Sequence, residues 1–304
     1  MNENTNEVNY DLPNFSKPRW TLYVAGVFFV SFLLYFPISA QVQSFIKKAV
    51  GSSPACPITY TDLGFQLFMP KVIVKNVNLP ASCFGNSGAP IVLDNLFLHI
   101  RGLNFSPIGP HFKVETQLFG NPLEAFVTVG LSTMAINLDN TKLNFSELSK
   151  FLPAGVKLNG DIQVDALAKA GQSGIQDLNL KASSKNLVIP SQNIMGFALT
   201  TLNIKNLLLK TQMESNNMLR LTDLIIGDDN SPIRGNLKGT IRLNQRNINA
   251  SPIDLIGEVA FSQEFLDKYA IIGMVMNQFD KRDDFYQIQL KGALGSPIPS
   301  SPSK

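Results

Sequence analysis

Few residues of this chain have the chemistry for catalysis or metal binding, and their spacing argues against both. Two histidines, His99 and His111, and two cysteines, Cys56 and Cys83, are its whole complement of imidazole and thiol groups, and no ligand spacing of the kind used by zinc sites joins them. His99 falls in the strand-like run Ile91 to Ile100, and His111 follows the turn-forming Pro107-Ile-Gly-Pro110. Neither has an acid at a telling distance along the chain, so both read as structural histidines. A Gly-x-Ser-x-Gly elbow, a phosphate-binding loop, a dinucleotide fingerprint and a His-Glu-x-x-His helix are all absent from the sequence. Asp228-Asp229 and Asp283-Asp284 precede strand-like runs without calcium-loop spacing, and read as turn formers. The expectation is a protein that is not an enzyme, with no catalytic residue, cofactor or metal.

The cysteines suggest a structural role instead. Cys56 and Cys83 bracket a hairpin whose returning strand is Lys71-Val-Ile-Val-Lys-Asn-Val77, and the two ends of a hairpin lie close in space. If they pair in an oxidising compartment, closing that loop constrains the unfolded chain by about 3.5 kcal/mol in the loop-entropy model. Two buried, unpaired thiols are the alternative reading.

The elements that must position these groups begin with an apolar run. Residues 20 to 40, from Trp20 to Ala40, contain no charged side chain. A helix of that length at ~1.5 Å per residue covers about 32 Å, enough for a hydrocarbon core of roughly 30 Å. Trp20 and Tyr35 stand near its ends as interfacial aromatics, Phe28 and Leu34 supply its lipid-facing bulk, and Lys17 and Arg19 flank its start. A cleaved signal peptide is the alternative. The run is longer than a signal core, however, and Ile38-Ser-Ala40 puts a bulky Ile where cleavage prefers a small residue. Flanking charge leaves the orientation tied, with Lys17 and Arg19 against Lys47 and Lys48. The short arm before the span is easier to leave in the cytoplasm, which places the bulk of the chain across the membrane. Four segments follow: a disordered cytoplasmic arm over 1–19, a membrane anchor over 20–40, a β domain across the membrane over 41–295 and a disordered Ser/Pro tail over 296–304.

Composition narrows the partners. The chain carries 26 Lys and Arg against 23 Asp and Glu, a net charge of +3, so no basic surplus exists to track a nucleic-acid backbone or hold an anionic lipid surface. Beyond residue 50, alternation of period two dominates. In the stretch 233 to 243, Leu237 and Ile241 share a dry face with Ile233, Gly235, Gly239 and Leu243, while Arg234, Asn236, Lys238, Thr240 and Arg242 share the wet one. Ile162 and Val164, and Ile288 and Leu290, mark the dry face of two further strands. Sheets with one wet face are usually antiparallel. The pattern Leu-x-Gly-x-[Ile/Leu/Val] occurs at Leu158, Leu237, Leu255 and Leu290 with irregular spacing, which excludes a solenoid of constant period. Glycine on the dry face of strand after strand implies bending. The expected fold is mainly β: a curved antiparallel sheet forming a β-groove or open half-barrel, with one or two short helices. Ser262 to Phe279 reads as a helix capped by Ser262 that covers part of the dry face, and Ser146 to Leu152 as a shorter one ended by Pro153.

The arrangement of anchor, Cys-bracketed hairpin, the run Ala89-Pro-Ile-Val-Leu-Asp-Asn-Leu-Phe-Leu98 and the ending Ile288-Gln-Leu-Lys-Gly-Ala-Leu-Gly-Ser-Pro297 resembles the type II secretion system protein N family. Together with Gly235-Asn-Leu-Lys-Gly-Thr-Ile-Arg-Leu243 it is more loosely similar to AsmA-like proteins with repeated β-hairpins. The resemblance spans most of residues 20 to 297. It implies a single-pass protein of the bacterial inner membrane with its bulk in the periplasm, serving as a non-enzymatic accessory component of type II secretion. Its partners would be the membrane and other secretion subunits. The competing expectation is a lipid-binding or lipid-transfer groove in which the dry face holds phospholipid.

Overall fold

A computed structural model describes residues 21–28, 31, 44, 57–66, 71–84, 90–105, 107–130, 132–149, 156–171, 174–194, 197–214, 217–244 and 247–302. The chain divides into two compact units, Met1–Lys48 and Ala49–Lys304. In the first, residues 21–28 are helical and expose Leu22, Tyr23, Val27 and Phe28. Trp20, Leu34 and Tyr35 lie outside the described residues, as does most of the expected anchor. Among the described residues no helix is long and apolar enough to cross a membrane.

The second unit is built on one antiparallel sheet. Its strands are β1 (Asp62–Gln66), β2 (Lys71–Leu79), β3 (Ile91–Phe105), β4 (Ile108–Leu118), β5 (Asn121–Val129), β6 (Thr133–Asn144), β7 (Asp161–Gly171) and β8 (Gly174–Ile189). A small separate hairpin follows, β9 (Gln192–Ile194) with β10 (Phe197–Leu199). The sheet then resumes with β11 (Leu202–Met213), β12 (Met218–Ile226), β13 (Ile233–Arg242), β14 (Pro252–Phe261), β15 (Lys281–Arg282), β16 (Phe285–Ala293) and β17 (Ser296–Ser300). Each main strand pairs with the next in sequence, β8 meets β11 across the inserted hairpin, and β15 and β17 both pair with β16. The first strand does not pair with the last, so the sheet is open.

Tight turns explain the meander. Phe119 and Gly120 both take positive φ, 54° and 76°, as a two-residue turn between right-twisted strands requires. Asp283, at φ 53°, turns β15 into β16. The Asp228 carboxylate accepts from Asn230 N at 3.1 Å and Ser231 Oγ at 2.8 Å, tightening the β12–β13 turn. Both aspartate pairs therefore serve turns. Six of the ladders contain a register shift, and each extra residue bends its strand and increases local twist.

Three expectations need correction. Residues 296–300 are not a disordered tail but the edge strand β17, paired with Gln289 to Ala293. Pro297 and Pro299 are tolerated there because an edge strand has one side without ladder bonds. The helix expected over 262–279 is two helices, α2 (Gln263–Lys268) and α3 (Ala270–Met276), broken at Tyr269 with φ −122° and ψ 60°. The break lets the Tyr269 hydroxyl accept from Thr200 N at 2.7 Å, tying the helices to the chain entering β11. The helix expected over 146–152 is α1 (Phe145–Leu148), started one residue earlier by Asn144, whose side chain accepts from Ser146 N at 2.8 Å. The Ser262 cap forms as expected, its Oγ accepting from Phe265 N at 3.2 Å. Cys83 lies in a 3-10 turn over Ala81–Phe84, and Cys56 lies outside the described residues.

Candidate functional site: an apolar track on one sheet face

The repeated glycine pattern has a specific use in β13 and β14. Leu237 stands opposite Gly257, and Gly239 opposite Leu255. Two copies of the motif thus interlock, each leucine lying over the other's glycine. A Cβ on Gly257 would collide with the Asn236 carbonyl, and one on Gly239 with that of Asp254. Gly239 also sits at φ 151°. Gly160 has the same kind of contact with the Asn186 carbonyl, whereas Gly292, at φ 107°, has room around it. Close strand approach therefore accounts for three of the four motif glycines.

The register carries this dry face through the whole sheet. Val164 pairs with Ala182, then in turn Leu209, Leu224, Leu237, Gly257 and Ile288. A neighbouring row runs Val72, Leu98, Val114, Ala125, Leu138, Ala166, Leu180, Thr211, Leu221, Gly239, Leu255 and Leu290, one residue from each strand crossed. At about 4.8 Å per strand this uncharged row extends for about 53 Å. Ile241 joins the same face opposite Ile253, and Ile162 lies two residues along from Val164. The register thus places Ile162, Val164, Leu237, Ile241, Ile288 and Leu290 on one sheet face, with Ile162 and Val164 in one core cluster and Leu237, Ile288 and Leu290 in another.

Cover over this face is uneven. Toward the C-terminal half, Leu221, Leu237, Ile253, Leu255 and Ile288 are buried. Phe265 of α2 packs in one cluster with Phe145, Ile162, Ala182, Leu202 and Ile204, while Met276 and Phe279 pack with Leu237, Tyr286 and Ile288. Between β3 and β7 the same face is only half-buried at Leu98, Val114, Val127, Ile136 and Leu138. Hydroxyls interrupt it, and among the described residues Thr141 Oγ1 and Thr211 Oγ1 are buried without a hydrogen-bond partner. Leaving such a group unpaired costs about 1–3 kcal/mol.

The wet face is ordinary sheet surface with cross-strand ion pairs. Lys113 Nζ lies 2.7 Å from Glu115 and 2.9 Å from Glu124, and its hydrogen bond holds the Glu115 carboxyl below the usual glutamate range. Asp223, between Lys210 at 3.3 Å and Lys238 at 3.5 Å, is lowered chiefly by its bond to Lys210. His99, which has no acid near it in sequence, has Glu115 Oε2 at 3.1 Å from its Nε2. Adjacent strands supply that partner, which no spacing along one strand could reveal. His111 Nδ1 lies 2.9 Å from Thr128 Oγ1, and its ring stacks on Phe126. Among the described residues, no three His, Cys, Asp or Glu side chains are grouped to hold a metal ion.

A cavity of about 430 Å³ opens between the start of β11 and α2, lined by Thr200, Lys205, Asp229, Ser231, Glu264 and Tyr269 among others. Its hydroxyls are committed to the fold: Tyr269 bonds Thr200, and Ser231 Oγ donates to the Ile204 carbonyl at 2.7 Å. The apolar track is the larger and more continuous feature.

Comparison with known proteins adds no neighbour. No family model, curated protein or solved structure matches this chain.

Proposed function

We propose that this chain is a non-enzymatic, membrane-anchored protein of the bacterial envelope whose open sheet holds phospholipid acyl chains along its apolar face. One observation carries the reading: a row of paired, uncharged residues crosses the sheet from Val72 to Leu290 and is half-buried at Leu98, Val114, Leu138 and Ala166. Water against that surface is unfavourable by roughly 25 cal/mol per Å² of apolar area, and an acyl chain relieves this cost without requiring hydrogen bonds. The separate wet face, with its satisfied ion pairs, keeps the outside of the sheet solvated. The anchor over residues 20–40 and a periplasmic location belong to the same proposal, supported by the uncharged run from Trp20 to Ala40.

A second reading covers the same face with protein: the chain is an accessory component of type II secretion whose β domain contacts other secretion subunits. The C-terminal motif favours it. The residues Ile288 to Pro297, which resemble the type II secretion protein N family, make the β16–β17 hairpin and supply the dry-face residues Ile288 and Leu290.

Native mass spectrometry of residues 49–304 purified from a bacterial periplasm separates the two readings. Phospholipid retained at about one or more molecules per chain supports the groove. A lipid-free fragment, with secretion subunits recovered alongside the full-length protein, supports the accessory role.

A further inference from the structure

Along the strand direction, across the track, the apolar face has two unlike ends. At one end of the sheet the long connections carry α1, α2, α3 and the β9–β10 hairpin, and the acidic turns Asp228-Asp229 and Asp283-Asp284 lie at that end. At the opposite end β3 turns into β4 and β5 into β6, and the strands simply stop. There Phe105 pairs with Ile108, Leu103 with Pro110, and Val129 with Met134. The register from Ile100 and Phe112 places Leu103 and Phe105 on the dry face. Phe105 is 86% exposed, Leu103 76% and Ile108 73%. These are large side chains presented to the surroundings at the mouth of the track.

The charge pattern around this mouth is one-sided. From Asn95 to Val114 there is no acidic residue, while Arg101 is exposed just behind the tip; from Ala125 to Leu138 there is no charged residue at all. Lys71 and Lys113, both level with His99, are the next cations, and Lys113 is paired with Glu115 and Glu124. Aromatic and aliphatic side chains at a tip, with Arg101 set behind them and no acid from Asn95 to Val114, match a bilayer interface, where rings sit at headgroup depth and a cation meets phosphate. A protein partner would be expected to meet a polar rim of both signs.

We propose that the β3–β4 hairpin tip, with Leu103, Phe105 and Ile108, inserts into a phospholipid leaflet and is the mouth through which acyl chains pass between that leaflet and the apolar track. The inference rests on the groove reading for the passage of lipid, but insertion of the tip is tested separately. The covered end, held by α2 and α3, then closes the track away from the membrane.

The test uses the full chain reconstituted into vesicles of phosphatidylcholine and phosphatidylglycerol, with or without bromine on the acyl chains. Trp20 is the only tryptophan, so Trp20→Phe gives a silent background for a reporter. In that background Phe105→Trp is expected to lose at least about twofold in emission in brominated vesicles, because an inserted ring touches the acyl region. Ile271→Trp, an exposed position on α3 at the other end, is expected to be unaffected. Quenching of Phe105→Trp no greater than that of Ile271→Trp overturns the insertion. A blue-shifted but unquenched Phe105→Trp overturns it too, in favour of another subunit or a second copy over the tip. Lipid retained by residues 49–304 is read in parallel. Lipid present with an unquenched tip leaves the groove and removes the mouth; a quenched tip with no retained lipid leaves a membrane-docking edge and removes the groove.

Discussion

The two halves of the dry face share one strand pattern and one register, yet they are packed differently. From β11 to β16, Leu221, Leu237, Ile253, Leu255 and Ile288 are buried, Leu237 and Ile288 in one cluster with Met276 of α3, and Leu221 is only 3% exposed. From β3 to β6, Leu98, Val114, Val127, Ile136 and Leu138 on the same face are half-buried, and along β3 the face runs out to the open tip at Phe105. The wet faces show no such contrast, since each half has its own lysine–carboxylate cluster around Glu115 or Asp223. Alternation makes a face apolar; it does not say what lies on top of it. In the C-terminal half the chain supplies part of that layer itself, from the long β14–β16 connection, and Phe145 of the β6–β7 connection adds to it over Ile162.

Substitutions can break this comparison or sharpen it. The largest effect is expected in the interlocked pair of the covered half. Gly257→Ala forces a Cβ into the Asn236 carbonyl and the Leu237 backbone, and should lower stability by more than about 3 kcal/mol. Gly292→Ala has room and faces only the strain of its positive φ, for about 1–2 kcal/mol. Urea unfolding of residues 49–304 measures both; equal losses would mean that strand approach is not what the motif secures.

The next effect compares the halves directly. Leu255→Ala, at a buried position, should cost about 3 kcal/mol by leaving a cavity, whereas Leu138→Ala, in the same row but half-buried, should cost about 1 kcal/mol. The same denaturation experiment applies. Matching costs would show that the β3–β7 half is as well covered as the other.

The smallest effect concerns the wet face. Glu115 has a depressed carboxyl pKa in the folded chain, so the pairing with Lys113 stabilises the fold above the ordinary glutamate value and is lost as pH falls below it. Lys113→Met should flatten the acid limb of the stability–pH curve by a small, salt-sensitive amount. An unchanged acid limb would mean that this cluster contributes nothing measurable.

Much of the architecture was legible along the chain because burial of one face imprints a period of two on each strand. The dry-face residues Ile162, Val164, Leu237, Ile241, Ile288 and Leu290 were readable for that reason, as were the Ser262 cap and the aspartate turns. The pairing of Leu237 with Gly257 was not, because the pattern repeats locally while the partner depends on register between strands. The same holds for His99 and Glu115, 16 residues apart and joined only by the β3–β4 ladder. The break at Tyr269 was hidden as well, since its hydroxyl is held by Thr200, 69 residues away. The β17 strand was missed because three prolines and four serines in the tail read as disorder until an unpaired edge of β16 was available to take them.

Local side-chain chemistry therefore determined that this protein is a strand-rich chain with one apolar face, tight turns and an uncharged N-terminal run. Strand alternation, turn preference and hydropathy are properties of neighbouring residues and need no distant partner. Tertiary structure decided that the sheet stays open, that its rows align from Val72 to Leu290, and where Phe145, Phe265 and Met276 of the helices pack on its face. Those outcomes depend on which strands meet in which register and on where a long connection folds back, and both are set by contacts between residues far apart in the chain.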